Sequence, residues 1–414
     1  LKGGLLVVNA FFAARVLGLK GYGVVVTLLA VAGLLQAFVE TRNSEAFVIF
    51  STRYPNDRGR VARVAILTDI ISAGIFLLTA FVVANWGWRL GASDFLPQGV
   101  DNSIVAAVSV YGACQLLKGT ITGVFIREDA LHRLALLGVA EEGLKAAGLL
   151  ILYLQFLTTP FAYAAVVAAS AVVVLAVAAR VALNIVAHTN NRDRSSSEFG
   201  EFTVVNYIRF NAKAFVSTSL KAFHSRMDIV FMSLGFGAAG AGALDLIKRI
   251  VLPLSFMMAP VANLTLKRSI LISESKTDLL AQMWKYNSRS WLIAGVYFAI
   301  AAFILVTIFA ARGATHDPWL LVSIIILFTT CTAYTMWWAR NFSSLTSQFC
   351  SIGGNAIAAI YMSTIAYKAA IGGSILLYTV SLAGLSVGLA LYWMAVLKYE
   401  ESSPGRRSDV GTES

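Results

Sequence analysis

The chain of 414 residues is 58% hydrophobic and only 13% charged, with 33 basic against 22 acidic side chains and a formal net charge of +11. Globular proteins average roughly 25% charged residues, and the mean hydropathy of +0.73 excludes an ordinary water-soluble domain. The basic residues are spread over separate loops rather than gathered in one patch, so no nucleic-acid partner is expected.

Twelve apolar segments follow one another along the chain, at about 1–18, 22–41, 63–86, 103–126, 132–156, 160–187, 206–234, 243–265, 290–311, 318–339, 346–366 and 371–397. Each approaches the ~20 residues that a helix rising ~1.5 Å per residue needs to cross a ~30 Å hydrocarbon core. The expected fold is therefore an all-α integral membrane protein of about twelve transmembrane helices. Leu1 is not an initiator Met, so the first segment reads as a shortened helix rather than a cleaved signal peptide.

Lys and Arg accumulate on the cytoplasmic side of short loops. One set of alternate loops holds Arg53, Arg58, Arg60 and Arg63, then Arg127 and Arg133, Arg192 and Arg194, five basic residues from Lys267 to Arg289, and Arg340; the tail adds Lys398, Arg406 and Arg407. The other set holds little beyond Lys20, Arg89, Arg312 and Lys368. This asymmetry predicts that both termini lie in the cytoplasm. The polar, Ser-rich stretch 188–203 separates six segments from six. The expected organisation is a six-helix lobe over 1–188, a cytoplasmic linker over 189–203, a second lobe over 204–398, and a disordered cytoplasmic tail over 399–414.

Segment 206–234 is interrupted by Arg209, Lys213, Ser217, Lys221, His224 and Asp228, at steps of four, four, four, three and four. Such spacing places all six on one helix face. A charge at membrane depth costs about 2.5 kcal/mol or more, so the stripe is expected to face a wet cavity or partner charges. Arg226 lies roughly 160° around the helix from Asp228, at about 100° per residue, so the two cannot face one cavity squarely. Arg209, near the cytoplasmic end, reads as a snorkelling anchor.

In the first half, Tyr111, Gln115, Lys118 and Thr122 form a polar seam stepped four, three and four. Glu141 and Lys145 are placed for an ion pair within one helix, and Glu142 is within reach of Lys118 on the neighbouring segment. Each half also opens alike, with a Leu-Gly step and a Gly-rich corner: Leu17-Gly18-Leu19-Lys20-Gly21-Tyr22-Gly23 in the first, and Leu234-Gly235 through Gly242 in the second. Repeated halves with charges near the midplane follow the transporter pattern.

Ala14-Arg15-Val16-Leu17-Gly18 with Gly21-Tyr22-Gly23, then Arg226-Met-Asp228-Ile-Val, Leu234-Gly235 and Gly242-Ala-Leu-Asp245-Leu-Ile-Lys248-Arg249-Ile250, resemble the polysaccharide (O-antigen type) flippases of the multidrug/oligosaccharidyl-lipid/polysaccharide (MOP) exporter superfamily. The resemblance spans most of the chain. It implies two six-helix lobes around a cationic cavity, alternating access, a bacterial cytoplasmic-membrane location, and transfer of a polyprenyl-pyrophosphate-linked oligosaccharide to the outer leaflet. It implies no enzymatic activity. Besides membrane lipid and this substrate, proteins of polysaccharide assembly are the expected partners.

A pyrophosphate headgroup is a compact polyanion, and cations lining a hydrated cavity would replace part of its solvation. The candidates for anion binding are Arg15, Lys118, Lys213, Lys221, Arg226, Lys248 and Arg249. Arginine grips phosphate through paired hydrogen bonds, whereas lysine acts as a flexible point charge. Coupling requires a group whose charge or partner changes during the cycle, and Glu40, Asp69, Glu142, Asp228 and Asp245 are the candidates, carrying a proton or helping to hold a sodium ion. No other cofactor is implied. The membrane potential, worth ~2.3 kcal/mol per charge per 100 mV, is an alternative drive.

The rival for the buried cations is a structural role, pairing with carboxylates to lock helices together. Two rival functions stand beside the flippase reading: a multidrug antiporter, which calls for an acidic or aromatic cavity, and a membrane-embedded polymerase or acyltransferase, which calls for a large outer loop or a buried catalytic His. Cys114, Cys331 and Cys350 lie far apart in apolar segments and read as packing residues. His132, His188, His224 and His316 lack metal-ligand spacing. The pairs Gly353-Gly354 and Gly372-Gly373, with Ser347, Ser351 and Asn355, suit close helix contact, and Pro253 and Pro260 can bend the eighth segment.

Overall fold

The computed structural model describes residues 2–40, 43–86, 100–189, 202–271, 292–307, 310, 318–343 and 348–402. They form twelve α-helices: α1 (Lys2–Ala37), α2 (Asn43–Arg53), α3 (Arg58–Trp86), α4 (Asn102–Arg127), α5 (Leu131–Leu154), α6 (Pro160–Thr189), α7 (Val204–Leu271), α8 (Leu292–Thr307), α9 (Pro318–Ser343), α10 (Gln348–Tyr361), α11 (Tyr367–Ile371) and α12 (Ile375–Ser402). Six contain stretches long and apolar enough to cross a membrane. The chain is an all-α, multi-pass membrane protein. Residues 190–201 of the expected linker and 403–414 of the expected tail lie outside the described residues.

The twelve helices do not map one to one onto the twelve apolar segments. α1 joins the first two, and at ~1.5 Å per residue its 36 residues would overshoot a ~30 Å hydrocarbon core if it ran straight. It is broken at Gly18, where φ is 71° and ψ 160°. This backbone region is essentially closed to residues with a Cβ. Before the break, a Cβ on Gly138 near the start of α5 would meet Lys2, and Phe12 packs on Tyr153 near the end of that helix. Beyond it, a Cβ on Gly21 would meet Pro160 at the start of α6. The chain then turns back, and Gln36 Nε2 donates to the carbonyl of Gly112 within α4 at 2.7 Å.

α7 joins the seventh and eighth segments in the same manner. Its break is at Gly237, with φ 72° and ψ 176°, and the helix otherwise runs through Pro253 and Pro260 with no second break. The equivalence of the two corners lies two residues beyond the Leu-Gly match suggested by sequence: Gly18 corresponds to Gly237, not Gly235. In that register the first corner reads Gly18-x-x-Gly21-x-Gly23 and the second Gly237-x-x-Gly240-x-Gly242. The corners also touch one another. A Cβ added to Gly23 would lie 1.6 Å from the Ala238 carbonyl oxygen, and one added to Gly242 would lie 2.7 Å from that of Leu19.

α2 falls where the sequence reading placed only a basic loop. Its buried positions, Asn43, Ala46, Phe47, Phe50 and Ser51, follow the i, i+3, i+4, i+7, i+8 stripe of an amphipathic helix. Two of the five are polar, which hid the stripe from a hydropathy reading. Phe50 packs against Tyr54, Phe202, Tyr207 and Phe210, with Val61, Ala65, Phe125 and Ala182 in the same apolar cluster. The Phe202 amide donates to Asp57 at 3.1 Å. The start of α7 is thus held against α2 and its neighbours.

Two compact units divide the chain, Leu1–Asp245 and Leu246–Ser414. In the second, Val251, Leu254, Ala294, Ala301, Leu305, Leu327 and Cys331 form a core. Gly353 and Gly354 receive Tyr392 of α12 where a Cβ would otherwise stand, the close contact expected of them. Gly372-Gly373 instead makes the turn into α12, with Gly373 at φ 71°. A π-helical turn, Met362–Ala366, separates α10 from α11.

Candidate functional site

The polar seam on α4 faces α5, and the two helices build an ionic network with α1. Lys118 Nζ lies 2.8 Å from Glu141 Oε2, and Lys145 Nζ lies 3.1 Å from Glu141 Oε1 and 2.8 Å from Glu142 Oε1. Gln115 adds a longer contact to Glu141 at 3.4 Å. Asn9 Nδ2 donates to both the carbonyl and the side chain of Glu142, at 2.9 and 3.0 Å. Lys145 Nζ stands 5.6 Å from the centroid of the Tyr111 ring, within cation–π range. Glu142 is 3% exposed. The sequence reading put Glu142 within reach of Lys118, but Lys118 binds Glu141 and Glu142 is held by Lys145 and Asn9.

Arg226 approaches this network from α7. Its guanidinium lies across Gly33, where a Cβ would meet Nε at 3.1 Å and Cζ at 3.2 Å. Arg226 stands in the neighbourhood of Tyr111, as do Lys145, Glu141 and Glu142. Among the described residues, three cations stand against two carboxylates, leaving one positive charge in excess. Arg226 is exposed and, among the described residues, forms no ion pair.

A second buried cluster lies on α2, α3, α4 and α7. Asn43 Nδ2 is 2.7 Å from the Ala65 carbonyl, 2.7 Å from Asp69 Oδ1 and 3.0 Å from Thr120 Oγ1. The Thr120 amide donates to Asp69 Oδ2 at 2.7 Å, and the Tyr207 hydroxyl donates to Asn43 Oδ1. A third contact joins the corners, where the Tyr22 hydroxyl donates to Asp245. Between these points Ser219 Oγ donates to the Ala37 carbonyl at 2.6 Å, so α7 follows the second arm of α1 from Ala37 through Gly33 to Gly23.

No protein-family model matches the sequence, and no curated protein is recognisably similar to it. Solved structures are. An inward-facing multidrug resistance MATE family transporter of the MOP superfamily superposes with a TM-score of 0.63 at 14% identity, over 97% of this chain and 96% of that one. An outward-facing MATE family transporter of the same superfamily gives 0.59 at 14%, over 97% and 94%. A mutant of the Vibrio cholerae MATE transporter VcmN gives 0.56 at 13%, over 96% and 93%. This is the MOP transporter fold.

Within the MOP fold, the anion-binding candidates take different positions. Lys118 is ion-paired, Arg15 is exposed, and Arg226 borders the α4–α5 network. Lys248 and Arg249 belong to the second unit, where both are half-buried and engaged. The side chains of Lys213, Ser217, Lys221 and His224 lie outside the described residues, as does that of Cys350. Of the coupling candidates, Glu40 is exposed, whereas Asp69, Glu142, Asp228 and Asp245 are buried. Asp228 Oδ1 accepts the Ile229 amide at 2.8 Å. With Asp228 buried and Arg226 exposed, the two point apart as their spacing requires. Asn9, Asn43, Tyr22 and Tyr207 were not candidates from sequence. Uncharged amides and phenols leave no mark in charge patterning.

Proposed function

We propose that this chain is a flippase that carries an anionic polyprenyl-pyrophosphate-linked oligosaccharide from the inner to the outer leaflet of the bacterial cytoplasmic membrane by alternating access, for surface polysaccharide or O-antigen biosynthesis. The observation that carries this reading is the guanidinium of Arg226, which has no ion-pair partner among the described residues, beside a network whose lysines are already neutralised by Glu141 and Glu142. A phosphate oxygen pair can take two parallel hydrogen bonds from such a group. The neutralised lysines keep the surrounding field moderate, which favours release. The MOP fold supplies the scaffold, and the resemblance of Gly18 to Gly23 and of Arg226 to Ile250 to polysaccharide flippases supplies the substrate class. Two six-helix lobes joined by 189–203, with both termini cytoplasmic, complete the proposal.

The fold likeness to multidrug resistance transporters favours a second reading, export of organic cations. It needs a carboxylate free to face the substrate, whereas Glu142 is occupied by Lys145 and Asn9. Substitution of Arg226 or Lys221 by Ala separates the readings. The flippase loses surface polysaccharide in both variants at unchanged protein level; full polysaccharide export in both would refute it, and retained export of cationic drugs would favour the antiporter.

A further inference from the structure

We propose that Gly33 is the positioning residue for Arg226, a seat on α1 that fixes the plane of the guanidinium for a phosphate group. The inference deepens the anion-binding reading of Arg226 and rests on it. Glycine inside a helix is unfavourable relative to alanine, and Gly33, unlike Gly18, has no positive φ to require it. Its use lies in what stands where a side chain would be. The three heavy atoms nearest to a Cβ at this position all belong to Arg226, with Nε at 3.1 Å, Cζ at 3.2 Å and Cδ at 3.5 Å.

Those distances give the orientation. Approach along the Nε–H bond would leave Cζ much farther away than Nε, so their near equality puts the missing methyl over the face of the guanidinium. All five N–H donors of such a group lie in its plane. With its face seated on α1, the donors are directed past the helix rather than into it, and among the described residues no carboxylate pairs with them. A planar fork held in one orientation suits an anion that presents two oxygens to it, as phosphate does.

Both helices are pinned at this level. Gln36, about one turn beyond Gly33, donates to the Gly112 carbonyl of α4 at 2.7 Å, and Ser219, about two turns before Arg226, donates to the Ala37 carbonyl of α1 at 2.6 Å. Arg226 lies eleven residues before the Gly237 corner, which at ~1.5 Å per residue is about half of a ~30 Å hydrocarbon core. An exposed guanidinium at that depth has to face water rather than lipid. The seat therefore presents the group to a hydrated space.

The test titrates inorganic pyrophosphate into the purified full chain in detergent at constant ionic strength, by calorimetry, with a Tm for every variant. Gly33→Ala should raise Kd about tenfold, as the loss of one charge-assisted hydrogen bond would. In an Arg226→Lys background, where a flexible point charge needs no seat, the same alanine should leave Kd unchanged. Stability should show the same dependence: Gly33→Ala lowers Tm beside arginine, whereas in an Arg226→Ala background it leaves Tm equal or higher, because alanine is the better helix former. This second comparison decides the question if Gly33→Ala alone fails to fold. Wild-type affinity in Gly33→Ala, the same loss of affinity in the Arg226→Lys background, or an equal fall in Tm without the arginine overturns the seat and leaves the anion site standing. No pyrophosphate binding, or equal binding by wild type and Arg226→Ala, overturns both.

Discussion

Gly23 and Gly242 meet backbone to backbone: a Cβ on Gly242 would lie 3.2 Å from the Gly23 nitrogen, and one on Gly23 would lie 3.0 Å from the Gly242 nitrogen. Each stands five residues after a break glycine, Gly18 at φ 71° and Gly237 at φ 72°. The two corresponding corners therefore cross one another within the first compact unit. Close approach of this kind depends on small residues at the contact.

Gly23→Ala should destabilise the protein more than any other single alanine at these corners, because its methyl would overlap the Ala238 carbonyl oxygen at 1.6 Å. Overpacking of a tight contact costs about 1–3 kcal/mol, and more where only backbone can yield. Gly143→Ala, with nothing within 4 Å, should be tolerated. Thermal unfolding followed by size-exclusion chromatography in detergent compares the two.

Gly18→Ala and Gly237→Ala should each lower stability by about 1–3 kcal/mol through backbone strain alone, since both positions have open space for a methyl. Similar losses from the two variants would match their common conformation. Unfolding midpoints of the pair provide the check.

Phe50→Ala should lower stability by about 3–5 kcal/mol. The side chain is 7% exposed and touches four aromatic rings from the stretch after α2 and the start of α7. Unfolding midpoints of the purified variant in detergent provide the check.

Lys145→Ala should be more damaging than Lys118→Ala, because it strands Glu141 and Glu142 together while Lys118 compensates only one of them. Removing one partner of a buried pair costs about 3–5 kcal/mol. The charge-balanced double variant Glu142→Gln with Lys145→Met should recover much of the loss. A double-mutant cycle on unfolding midpoints measures that recovery.

The apolar segments and the Gly-rich corners were legible in the sequence because membrane burial and left-handed backbone each demand narrow residue choices. The correct register of the repeat was not, since Gly235 and Gly237 are both glycine and only the backbone shows which one turns. α2 was not legible either, because Asn43 and Ser51 occupy its buried face. On the site, spacing along one helix placed Glu141 with Lys145 correctly. Partners on neighbouring helices depend on rotations and offsets that one sequence does not encode, so Lys118 was matched to Glu142 rather than Glu141. The Asp69 cluster rests on Asn43 and Tyr207, whose role appears only when α2 and α7 are brought together.

The central claim, that this MOP fold moves an anionic lipid-linked sugar past Arg226, is tested most directly in sealed vesicles containing purified protein and a fluorescent polyprenyl-pyrophosphate oligosaccharide. Protection of the sugar from an enzyme added outside should be lost with wild-type protein and retained with Arg226→Ala, while Arg226→Lys keeps part of the activity. Equal rates for wild type and Arg226→Ala, or transport of organic cations with no movement of the lipid-linked sugar, would contradict it.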